Sequence, residues 1–155
     1  MKNNRSCIEK QAHFKPAVFL LADHGFNSYS TLIETRRNLA AKQPDLVQRF
    51  VDASAIGWYH YLYDDPRPGN ALIKQQNPEM TDDQLAFSIA QMKHDGIVDS
   101  GDTLKLGIGA MTDARWQSFY DKMVHVGVAK PGLDFRRGYS LQFVNKGVGV
   151  ELRPK

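Results

Sequence analysis

The run Ala17-Val18-Phe19-Leu20-Leu21-Ala22-Asp23, with the turn His24 to Tyr29 and the segment Ser30-Thr31-Leu32-Ile33-Glu34-Thr35 after it, decides how this fold is read. Four consecutive apolar residues from Val18 to Leu21 predict a strand covered on both faces, because a half-solvated strand would alternate apolar and polar side chains. Gly25, Asn27 and Ser28 accept turn conformations, and Ser30 to Thr35 predicts a second short strand. No other convincing strand is found, so the expected sheet is incomplete.

Helices follow. Pro44 suits a first helical position and Asp45 complements the positive end of the helix dipole, which predicts a long helix over PDLVQRFVDASAIGWYHYL. Leu46, Val47, Phe50, Val51, Ser54, Trp58, Tyr61 and Leu62 recur at spacings of three and four, predicting one continuous core face. Asp64 to Gly69 breaks that helix, and Asn70 to Gln76 predicts a short one. Thr81-Asp82-Asp83-Gln84 has the form of a capping box, with Leu85, Ile89 and Met92 inward until Gly96 closes the element. Ile97 to Ala110 reads as an irregular linker. Thr112-Asp113 caps a helix that turns Trp116, Phe119, Tyr120, Met123 and Val124 inward and stops at Gly127. Leu133 to Val144 predicts a last short helix or turn, and Gly147 to Lys155 reads as a tail.

At 155 residues with 42% hydrophobic and 24% charged residues, the chain has the size and composition of one globular domain, not of a disordered or collagen-like protein. The net charge of +3 is spread among acids, with clusters only at Arg36-Arg37 and Arg136-Arg137, which argues against a nucleic-acid partner. No apolar stretch reaches the length of a membrane span. Cys7 is the single cysteine, so an internal disulfide and a cysteine metal cluster are both excluded. MKNNRSC lacks the apolar core of an export signal, so the chain as written reads as cytoplasmic.

Chemistry-bearing motifs are sparse. Gly107-Ile108-Gly109-Ala110-Met111-Thr112 leads into a helix start, as a phosphate loop would, yet it lacks the third glycine of a dinucleotide fingerprint and the lysine of a P-loop. An ordinary helix-entry loop is the stronger reading. The five histidines have no metal-ligand spacing, no nucleophile has a recognisable base, and no catalytic residue, metal or cofactor is expected. Phe26 and Tyr29, on a turn between strands, either face a ligand or close the local core.

FKPAVFLLAD, the Gly25 to Thr31 turn, QPDLVQRFVDASAIGWYHYL, NPEMTDDQLAFSIAQMKHDGIVDSGD, GIGAMTDARWQSFYDKMV and YSLQFVNKG occur in one order. Together they closely resemble the carboxy-terminal half of solute-binding proteins of ABC importers, in the family of nitrate, taurine, sulfonate and thiamine-pyrimidine proteins. The resemblance implies an α/β, periplasmic binding protein type II-like fold, present here as an incomplete carboxy-terminal portion that is mostly helical. It divides the chain into an atypical start at 1–7, a portion of a two-lobed solute-binding domain at 8–149 and a tail at 150–155. It implies a non-enzymatic protein without cofactor, a small solute as ligand, an ABC permease as partner of the complete protein and a periplasmic setting. Phe26, Tyr29, Ser30 and Thr31 are its candidate ligand-facing residues, supplying stacking and hydroxyl donors. Two alternatives accompany it. Related fungal enzymes make the thiamine pyrimidine with pyridoxal phosphate and iron, but carry a cysteine-rich segment that a chain with only Cys7 lacks. A non-binding remnant would self-associate through its incomplete sheet.

Overall fold

The computed structural model describes Phe19, residues 21–26 and residues 28–154. Among these residues every regular element is helical, with α1 at Arg37–Lys42, α2 at Pro44–Tyr63, α3 at Arg67–Gln76, α4 at Asp82–His94, α5 at Thr103–Leu106 and α6 at Asp113–His125. Single 3-10 turns lie at Leu21–His24, Phe135–Gly138 and Val150–Leu152.

The second expected strand is corrected, and so is the described part of the first. Val18 and Leu20 lie outside the described residues, while Phe19 is 80% exposed and Leu21 opens a 3-10 turn. Ser30 to Thr35 is extended or bent but unpaired, and Leu32 and Ile33 are exposed. The physical reason is plain: an apolar run becomes a strand only when a neighbour takes its backbone groups. No strand is present among the described residues, so the β half of the α/β expectation has no counterpart there.

The helix signals fare better. Proline occupies the start of α2 and Asp45 its first turn. α3 begins three residues earlier than expected, with Pro68 in its first turn. At α4 the capping box is complete: the Thr81 hydroxyl accepts the Gln84 N–H at 3.2 Å and the Gln84 side chain accepts the Thr81 N–H at 2.8 Å. Thr81→Ala is therefore expected to cost about 1 kcal/mol, seen as a drop of roughly 2–4 °C in melting temperature by circular dichroism.

The buried stripe of α2 is not the one the apolar spacing suggested. Val47, Ala55, Tyr59 and Leu62 are buried, whereas Leu46, Phe50 and Trp58 are 43%, 60% and 38% exposed. Apolar residues run around most of this helix, so periodicity alone could not choose the inward side. Tyr59 and Leu62 pack with Ile108, and Tyr63, Met92, Val98 and Val150 close around them. Two segments read as peripheral thus enter the core. The stretch taken as a linker supplies Ile108 and Ala110, both buried, together with α5. The stretch taken as a tail folds back as the Val150–Leu152 turn, and Arg153 reaches Asp99 beneath it at 2.7 Å.

Candidate functional site

Thr112 caps α6 by accepting the Arg115 N–H at 3.3 Å, and its own N–H donates to the Tyr29 hydroxyl at 2.8 Å. The aromatic turn is thereby fastened to the start of α6. One turn along the helix, Arg115 strengthens the attachment: its guanidinium lies 4.5 Å from the centre of the Tyr29 ring and donates to the Ser28 carbonyl at 3.2 Å.

From Tyr29 an array of rings runs along α6. Tyr29 meets Trp116 at 5.4 Å, Trp116 stacks on Tyr139 at 4.8 Å, Tyr139 faces Phe135 at 6.3 Å, and Phe135 stacks on Tyr120 at 4.8 Å. Hydroxyls anchor one end and the middle: Tyr120 donates to the Lys130 carbonyl and accepts the Leu133 N–H, each at 2.9 Å, while Tyr139 donates to Asp113. The hydrogen bond to the Asp113 carboxylate raises the Tyr139 pKa. Because Trp116 and Tyr139 each have rings on both sides, the array is a small aromatic core that holds residues 128–139 on α6.

The structure separates the four expected ligand-facing residues. Tyr29 is half-buried, with its hydroxyl committed to Thr112. Phe26 sits beside Lys122, whose ammonium is 5.7 Å from its ring centre. Ser30 and Thr31 are exposed, and among the described residues their hydroxyls make no hydrogen bond. Lys122 also lines an open depression with Ala114, Gln117, Ser118, Asp121 and His125. The Trp116 indole N–H is buried and meets no acceptor among the described residues. Sequence reasoning placed Trp116 inward but gave no role to Arg115 or Tyr139, whose meeting with Tyr29 depends on residues far apart in the chain.

The glycine loop before α6 is not a phosphate cradle. Its N–H groups are used internally: Ile108 donates to the Tyr59 hydroxyl at 3.3 Å, Ala110 to the Gly107 carbonyl at 3.1 Å and Met111 to Asn145 at 3.0 Å. Gly107 itself has φ of 92°, and a Cβ there would stand 3.3 Å from the Gly147 backbone. Glycine is required by that turn and that approach. Among the described residues no three His, Cys, Asp or Glu side chains gather to hold a metal ion, and no helix is long and apolar enough to cross a membrane.

The family model described as NMT1/THI5 like matches residues 4–68. Over that span, less than half of the chain, the sequence is similar to the NMT1/THI5-like family. The matched span carries the aromatic turn and the whole of α2, and it ends before α4 and α6. That similarity supports a solute-binding role in general terms. No curated protein matches the chain, and no solved structure does so either.

Proposed function

We propose that this NMT1/THI5-like chain is the carboxy-terminal part of the non-enzymatic solute-binding component of an ABC importer. Its ligand is a small solute such as nitrate, taurine, a sulfonate or a thiamine pyrimidine precursor, and a permease receives it in the periplasm. The observation that carries this reading is that the family span includes a turn whose Tyr29 is clamped on α6 while the neighbouring Ser30 and Thr31 hydroxyls stay exposed. A rigid aromatic seat beside hydrogen-bonding groups suits a small polar ligand. The buried Trp116 N–H, against the Tyr29 ring, is a donor without an acceptor among the described residues. A binding cleft needs a second wall, and in this reading the other lobe supplies it.

Isothermal calorimetry tests the proposal with nitrate, taurine, an alkanesulfonate and the thiamine pyrimidine, on this chain and on a version joined to a family first lobe. Saturable heat with one of these ligands is expected from the joined protein. Thr31→Ala should weaken it about five- to tenfold, the worth of one hydrogen bond, while leaving stability within about 0.5 kcal/mol. Absence of heat with all four ligands in both proteins would refute the reading.

A further inference from the structure

The outward side of α2 carries two features that the described residues do not use. The first is an apolar stripe opposite the buried one: Leu46 and Phe50 are 43% and 60% exposed, and Ala53 and Gly57 are exposed on the same side. The second is Gly57 itself. Glycine is among the poorest helix formers, so a glycine in a helix interior normally answers to a close neighbour. Gly69 has such a neighbour, since a Cβ there would fall 2.9 Å from the Tyr61 ring; at Gly57 a Cβ would meet nothing within 4 Å.

Phe50 and Gly57 are seven residues apart, close to two full turns, and so lie in line on one face. We propose that this face is the contact between two copies of the chain, paired antiparallel through α2, with Phe50 of each copy seated in the notch at Gly57 of the other. A two-fold axis near Ala53 and Ser54 then places Leu46 opposite Tyr61. Charge favours the same direction: exposed Lys42 lies beyond the amino end of the stripe, and Asp64, with its side chain 71% exposed and 3.2 Å from His60 Nδ1, lies at the carboxy end. Antiparallel pairing brings Lys42 toward Asp64 and opposes the helix dipoles, whereas parallel pairing would set Asp64 against Asp64 and Phe50 against Phe50. The contact uses a helix face and needs no sheet edge.

Sedimentation equilibrium of the full chain from 1 to 200 µM, roughly the range in which modest interfaces assemble, should show a reversible monomer–dimer equilibrium. Phe50→Asp should leave only monomer, with an unchanged circular dichroism spectrum because the side chain is mostly exposed. Gly57→Ala separates this proposal from a merely structural role: it should raise the melting temperature of the dilute chain, yet weaken the dimer at least tenfold by filling the notch. In a Cys7→Ser background, Phe50→Cys combined with Gly57→Cys should oxidise to a covalent dimer. The two positions in one copy are about 10 Å apart, too far for an internal disulfide. A monomer at every concentration, a dimer indifferent to Phe50→Asp, or a dimer that fails to cross-link would overturn the proposal.

Discussion

Asp99→Ala is expected to lower the unfolding free energy by about 3–5 kcal/mol, the usual result of removing one partner from a buried ion pair. The Asp99 side chain is 2% exposed. It accepts from Arg153 Nη2 at 2.7 Å and Nε at 2.8 Å, from the Tyr63 hydroxyl at 2.8 Å and from Thr103 Oγ1 at 2.8 Å. Removing the carboxylate leaves the Arg153 guanidinium beside the core with only the carbonyls of Thr103 and Leu104 and the Tyr59 hydroxyl as acceptors. Urea unfolding at pH 7 measures the loss.

The same cluster fixes a pH dependence. Burial pushes the Asp99 pKa up, but the hydrogen bonds from Arg153, Tyr63 and Thr103 outweigh burial and hold it below the ordinary carboxylate range. A carboxyl with a depressed folded pKa binds fewer protons folded than unfolded. Its contribution is therefore present above the unfolded value near 3.9 and is lost as the pH falls through the lower folded value. Wild-type stability should drop steeply below about pH 4. Asp99→Asn, already without the charge, should show a shallower drop over that window. Equal acid slopes in the two proteins would show that Asp99 does not govern it.

Local signals made the helices legible in the sequence, because a cap or a first-turn proline acts within three or four residues. Thr81-Asp82-Asp83-Gln84 and Pro44-Asp45 are such cases, and both start helices where the chain said they would. What stayed hidden depends on distant partners. Leu46 and Phe50 look as inward as Val47 by spacing, and Met92, Val98, Ile108 and Val150, brought from far along the chain, choose the buried side of α2. Arg153 lies in a segment that reads as a tail, yet its partner Asp99 lies 54 residues earlier. The candidate site divides in the same way: Tyr29 stood out as an aromatic on a turn, while Arg115 and Trp116, which hold its ring, looked like ordinary members of a helix.

Tyr59→Ala is expected to cost about 3–5 kcal/mol, as large-to-small substitutions of buried aromatic residues do. The side chain is fully buried, and its hydroxyl both accepts the Ile108 N–H at 3.3 Å and receives Arg153 at 3.2 Å. Tyr59→Phe keeps the ring but strands the Ile108 N–H, which should cost about 1–3 kcal/mol. The difference between the two variants measures what the ring itself contributes. Gly149 supplies an independent check on how tightly that ring is held. Its φ is 78°, and a Cβ there would stand 2.7 Å from Tyr59 Cδ2. Gly149→Ala must therefore bear both a left-handed backbone, at roughly 1–2 kcal/mol, and a collision with the ring. In a Tyr59→Ala background the collision disappears and only the backbone part remains. The double variant should then be more stable than the sum of the single losses implies, by about 1 kcal/mol or more. Strict additivity in chemical denaturation would mean that the ring and the Val150–Leu152 turn are not in contact, and the carboxy-terminal segment would lose its place in the core.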